Sequence, residues 1–388
     1  MRRWLLLLGL ALFALVALTG CSGGRTRQES WPGLSVEGDV VVVADVEYLE
    51  GLDAATGQRL WAYPVDAKAG NAIGFYATPY YDAEHGLLFT AGFRDKTVHA
   101  FRVGQSLREA PQFLWSFPEI SEDGKTKSNG EGAKGQYVAG GTVAGDLFLI
   151  GNGDGSLYAL NVEDGSLAWS FATDDRIWGV PLVLSGTVYV TSLDHHLYAL
   201  ALEDGSLKWQ VETAGAVAMS PVYAAGSLWI GDFGYRIYRI DPQSGEVQWT
   251  FTEGKDWFWA TPVVGEGTLY FTDVSGNVWA FDTEDASLRW QVAVDGAVFR
   301  GRGYLSPDGT RLYEPDYIHG RVHVFDTENG ELIEWGVRLE NPGRLPGDIV
   351  GDGERLYTMP ILIKQRIQTF DLASGDLLWE YPVAQGEK

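Results

Sequence analysis

Leu157-Tyr-Ala-Leu-Asn-Val-Glu-Asp-Gly-Ser-Leu-Ala-Trp169 returns forty residues later as Leu197-Tyr-Ala-Leu-Ala-Leu-Glu-Asp-Gly-Ser-Leu-Lys-Trp209. Ile237 to Trp249 and Val278 to Trp290 repeat it again, and Val322 to Trp335 and Ile367 to Trp379 continue the series. Leu52-Asp53…Gly57…Trp61 opens it, with Val98-His-Ala-Phe101…Trp115 as a stretched second copy. The closing tryptophans are Trp61, Trp115, Trp169, Trp209, Trp249, Trp290, Trp335 and Trp379, at intervals of 54, 54, 40, 40, 41, 45 and 44 residues. That counts eight units.

Within a unit the apolar residues alternate with period two. Residues 267–272 read as a strand, Ser275-Gly276 as a turn and residues 277–282 as the next strand. The Asp-x-x-Ser/Thr/Asp-Gly loop that follows is a turn: the Asp side chain accepts backbone N–H groups and glycine takes the left-handed position. A fourth strand carries the tryptophan, and Pro181, Pro221 and Pro262 stand where the next unit starts, forfeiting no interior ladder bond. A helical solenoid has a similar period, but no 3.6-residue pattern is present. Four short antiparallel strands every 40–45 residues predict an all-β, eight-bladed β-propeller. A single such sheet cannot bury its faces, and an indole between neighbouring blades removes ~150–250 Å² from water.

These residues carry a family resemblance. Asp53-x-x-Thr56-Gly57-x-x-x-Trp61, Asp241…Ser244-Gly245…Trp249 and Asp371…Ser374-Gly375…Trp379 resemble the tryptophan-docking motif of quinoprotein-type, PQQ-like propeller repeats. Ala159 and Ala199 keep the motif's alanine. Ala201 has lost its Asp, Ala286 replaces its Gly, unit seven has one extra residue before Trp335, and unit two has lost both Asp and Gly. The resemblance spans residues 31–388 and implies the propeller fold; folds host many activities, so it is far less specific for function. Its dehydrogenases hold PQQ and calcium in the central funnel, often under a ring made by adjacent cysteines. This chain has one cysteine and no Cys-x-x-Cys-His, so the expectation is no cofactor, no metal and no catalytic residue. A PQQ-dependent dehydrogenase is the alternative.

Composition narrows the partners. Twenty-nine Lys and Arg face 52 Asp and Glu, a net charge of −23. Phosphate backbones would repel such a chain, so no nucleic acid is expected, and an anionic membrane surface would repel it too. Attachment therefore needs a device, and the N-terminus supplies one. Arg2 and Arg3 precede an apolar run from Trp4 to Ala17, and Leu18-Thr19-Gly20-Cys21 resembles the lipobox of bacterial lipoproteins. The reading is a signal peptide at 1–20, a lipid on Cys21 and a flexible tether within 21–30, holding the propeller of 31–388 near a membrane. An uncleaved anchor is the competing reading; Trp4 to Gly20 sits at the lower limit for a span. Ser22 follows the cysteine where an Asp would retain the protein at an inner membrane. That points to the outer membrane facing the periplasm, or to the outer face of the cell membrane where there is only one.

Residues that break the repeat are the candidates for binding. In a propeller the segment before each innermost strand lines one mouth of the central channel. Here those segments contribute Tyr76, Arg176, Trp178, Trp257, Trp259, Arg300 and Arg302, with Arg344 ahead of Pro346. Aromatics and arginines on one rim of an acidic protein could grip a peptide, a sugar or an anion; equally they could plug the channel and neutralise acids. His195-His196 read as turn occupants, since a metal pair needs further ligands that nothing nominates. Asp154, Asp194, Asp232 and Asp273 recur beside the hairpin turns of four successive units and read as structural. Pro118 to Gln136 is an insertion carrying Lys125, Lys127 and Lys134. The resemblance extends to the lipid-anchored propellers of the outer-membrane β-barrel assembly machinery. It implies a monomeric, non-catalytic protein-interaction scaffold whose partner is a barrel-assembly subunit where the host has an outer membrane. A ligand-binding surface receptor using the rim is the other alternative.

Overall fold

Alternating apolar residues with turn residues every five or six positions leave each unit one solution, a meander of four short strands. The computed structural model describes residues 33–65, 67–119, 133–336, 342–363 and 366–382. Cys21, the leader and the tether lie outside the described residues, as do Lys125 and Lys127 of the insertion. Among the described residues, thirty-two strands form eight four-stranded antiparallel sheets, each in sequential order. Blades 1 to 8 occupy Gly33–Tyr63, Tyr80–Phe117, Thr142–Ala172, Leu182–Glu212, Val222–Phe251, Val263–Ala293, Tyr304–Ile333 and Val350–Tyr381. The fold is an eight-bladed β-propeller.

In most blades the second and third strands are almost wholly buried, because neighbouring blades cover both of their faces; the third strand of blade 7, Arg321–Asp326, is the more open exception. The outermost strand alternates, leaving Leu167, Leu207 and Leu288 exposed two residues before their tryptophans. Six closing indoles then do the same thing. Trp61, Trp115, Trp169, Trp290, Trp335 and Trp379 donate Nε1–H to a carbonyl of the next blade's docking turn at 2.7–3.1 Å. The ring face lies on that turn's glycine where the motif has one. At Gly205, with φ +72°, an added Cβ would meet the Trp169 ring at 2.4 Å, so glycine is needed both for the left-handed backbone and for the space. In blade 6 Ala286 takes the same turn position at φ 62°. The indole facing it, Trp249, packs against Trp229, Phe251 and Phe281 instead.

The ring closes on the same terms. Blades 1 and 8 are each built from one end of the described chain, with no strand exchanged between them. Trp379 of blade 8 donates to the Ala54 carbonyl of blade 1. Leu34, Val41 and Leu52 share a core with Tyr357, Met359 and Ile367, and Arg366 bonds Asp45 at 2.6 Å. One element was not foreseen from the repeat: a short helix, Ala67–Ile73, inside the long first interval between tryptophans.

Candidate binding site at the mouth of the channel

Antiparallel meandering sends the docking turns to one face of the ring and the inter-blade segments, with the hairpins between second and third strands, to the other. Each inter-blade segment is anchored by a buried apolar residue: Phe75, Tyr137, Ile177, Val217, Phe258, Phe299 and Leu345 are all at most 3% exposed. The residue after each anchor faces the channel. These are Tyr76, Val138, Trp178, Ala218, Trp259, Arg300 and Pro346, from blades 2 to 8, and all line one central cavity of about 150 Å³.

The recurring hairpin aspartates hold this wall at a fixed height. Asp154 Oδ2 accepts the Lys134 N–H and the Tyr158 hydroxyl. Asp194 does the same with Asp174 N–H and Tyr198, and Asp232 with Gly215 N–H and Tyr238. Burial is the main reason the Tyr158 phenol is pushed up to about 12, so it remains a donor. A second layer lies two residues further along each segment, where hydrogen bonds stitch blade to blade. Val180 N–H donates to Ser220 Oγ, Ser220 N–H to Thr261 Oγ1, and Arg302 N–H to Asp348 Oδ1, at 2.8, 3.1 and 2.8 Å.

The rim residues named from sequence do not all do the same work. Trp178 and Trp259 meet with ring centroids 5.9 Å apart. Trp257, 40% exposed, does not line the cavity but stacks on Phe233 at 4.9 Å, and Phe233 also stacks on Trp259. Tyr76 packs on Phe93. Arg300 lies over the rings of Trp259 at 5.3 Å and Tyr317 at 4.5 Å, and Arg344 reaches Tyr317 from elsewhere at 5.4 Å. Arg302 sits in the second layer opposite Asp348, and Arg176 is exposed outside the cavity. The result is a belt running Trp257, Phe233, Trp259, Arg300, Tyr317, Arg344 around blades 5 to 8. Phe93, Phe233 and Tyr317 come from hairpin turns, at positions sequence reading passed over. The signal available was a bulky aromatic in or just ahead of a turn that elsewhere carries Gly, Leu or Val, as at Gly153, Leu193 and Val274.

Two carboxyls near the mouth are displaced upward. Asp348 opens onto the channel and is raised chiefly by desolvation, while the Arg302 N–H and charge pull the other way. Glu314, 1% exposed, is raised well above the usual carboxylate value by burial, and its Oε2 has no hydrogen-bond partner. Burial also pushes Asp316 up, but bonds from His323 and His319 more than offset it. Calcium takes six to eight oxygen ligands. The cavity wall offers one carboxylate, Asp348, and no three His, Cys, Asp or Glu side chains converge as a metal site among the described residues. His195 and His196 sit in and beside a turn, with His196 Nδ1 against the Asp194 carbonyl. This donor set does not fit a calcium–quinone pair.

In sequence, residues 112–249 and 234–388 match the family described as outer membrane protein assembly factor BamB. The chain belongs to that family. No protein of curated function matches it in sequence. Among solved structures, BamB from Moraxella catarrhalis superposes with a TM-score of 0.65 at 16% identity, covering 88% of this chain and 94% of that one. A computationally designed protein, Ika8, superposes equally well: TM-score 0.66, 11% identity, 85% of this chain and 93% of that one. At such identities the likeness is one of fold, and the designed protein makes the point. BamB membership comes from the sequence match, and what a given BamB-family chain grips must be argued from its own mouth residues.

Proposed function

We propose that the protein is a non-catalytic scaffold of the cell envelope, binding a protein partner in outer-membrane protein assembly through the mouth face of the propeller. The observation that carries this is family membership over residues 112–388. The belt adds a surface of the right kind, since aromatic and arginine side chains are what dominate protein interfaces. In this reading residues 1–20 are removed, Cys21 carries the lipid, and the tether holds a monomeric ring at the membrane. The channel does no quinone chemistry.

The test is a photo-cross-linking residue at position 257 in the full lipidated chain, irradiated in its own membranes. The expected adduct is a barrel-assembly protein, while the same residue at Leu207, exposed on an outermost strand, gives none. No adduct at position 257 in a host that has such machinery would overturn the scaffold reading. Added PQQ and calcium are expected to give no dye-linked oxidation of alcohols or sugars; turnover would replace it with the dehydrogenase.

A further inference from the structure

Several arginines of this acidic chain hold a carboxylate. Arg59 pairs with Glu50, Arg108 with Asp39, Arg289 with Asp282, Arg355 with Asp352 and Arg366 with Asp45. Arg300 is different. It lines the central cavity, its Nε is buried without a hydrogen-bond partner, and it forms no ion pair with any described residue. What it has instead is aromatic rings, Trp259 and Tyr317. Rings fix a guanidinium by its flat face and leave its N–H edge as the part still able to bind, and that edge matches a carboxylate in the same plane.

We propose that Arg300 binds an acidic side chain on an extended segment of a protein partner, seated in the mouth with its neighbouring side chain against Trp178 and Trp259. This deepens the scaffold reading and rests on it. The size argues for a side chain: 150 Å³ is below the 300–1,000 Å³ of sites that enclose whole small ligands. The charge argues for a single negative charge, because Asp348 lies one layer below and repels a dianion such as phosphate. Outside the cavity, Trp257 stacked on Phe233 gives the rest of the segment an aromatic ledge.

Acetylated glycine–serine octapeptides with a central Phe-Glu or Phe-Gln pair, and benzoate, are titrated into the purified full chain by calorimetry and tryptophan fluorescence. The Glu peptide binds, and the Gln peptide binds roughly tenfold or more weakly, the scale of a charge-assisted hydrogen bond. Arg300→Met abolishes that preference, and Arg300→Lys, which keeps the charge and loses the fork, retains part of it. Unchanged near-ultraviolet dichroism establishes that both variants are folded. Equal affinity for the two peptides, or a preference surviving in Arg300→Met, overturns the proposal; so does benzoate binding as tightly as the Glu peptide, which assigns the site to small acids. If cross-linking from position 257 succeeds while the peptides show no preference, the carboxylate site fails and the scaffold reading stands. If the peptides discriminate and no envelope partner is captured, the scaffold reading fails and the site remains.

Discussion

On the docking face, six indoles make one bond, to a carbonyl in the next blade's turn, within a spread of 2.7 to 3.1 Å. On the mouth face, seven equivalent wall positions carry six residue types, from Ala218 to Trp259 and Arg300. The backbone under both is the same. Where eight copies agree, the residue serves the joint between blades; where they diverge, packing does not dictate the choice and something outside the ring can. This is a stronger guide to a binding surface than hydrophobicity, since exposed leucines recur on the outermost strands too.

The comparison breaks most readily at the tryptophans. Trp169→Ala removes a nearly buried indole and its bond to Leu202, and should lower the unfolding free energy by about 3–5 kcal/mol in urea denaturation. Trp257→Ala on the mouth should cost less, about 1–2 kcal/mol, because 40% of that side chain is already exposed. Equal losses would erase the distinction between the faces. Next comes the turn glycine. Gly205→Ala forces a side chain onto the Trp169 ring at positive φ and should cost about 2 kcal/mol. The reverse exchange at the variant turn, Ala286→Gly, should stay within about 0.5 kcal/mol, because relief of the φ strain and loss of a buried methyl offset each other.

Titration separates the two ends of a blade as well. Glu314 keeps its proton in the folded state above the ordinary carboxyl value of 4.5, so the folded form binds more protons than the unfolded one. Stability from that group is therefore lost as pH rises from about 4.5 toward the raised value. Glu314→Gln should remove that decline, seen as a smaller difference between urea midpoints at pH 5 and pH 8. The docking-turn carboxyls work in the opposite sense. Thr56 holds Asp53 low, chiefly by its side-chain bond, and the Ser244 and Ser374 N–H groups hold Asp241 and Asp371 low. Their contribution is present above the unfolded value of 3.8 and lost as pH falls through the folded one. Asp241→Asn should blunt the acid side of the stability profile slightly, the smallest effect of the set, read from midpoints between pH 3 and pH 5.

Much of this was legible because a repeat reports itself. The eight tryptophans gave blade number and register, and a strand expected over 277–282 is the strand Asn277–Asp282. Trp178, Trp259 and Arg300 were recognisable at the rim because they interrupt a repeated segment. Phe233 and Tyr317 were not, since their meaning depends on hairpin turns folding over the inter-blade segment, a contact between residues 17 to 27 positions apart. Arg302 and Asp348 are separated by 46 residues and joined by one bond, which no periodicity announces. The helix at Ala67–Ile73 was hidden for the converse reason, being a single insertion with no second copy to compare.

The seam between blades 8 and 1 has a consequence for how the ring comes apart. In an open stack of repeats, losing a terminal unit exposes one interface. Here blade 8 touches blade 7 through Trp335 and blade 1 through Trp379, so losing it exposes two. Among the described residues no strand is shared between blades 8 and 1 as a latch, so no seam is privileged. The structure behaves as a circular nearest-neighbour chain, in which the first rupture is doubly penalised and each one after it is not. Partial unfolding from an end, the usual weakness of repeat proteins, is suppressed by topology alone.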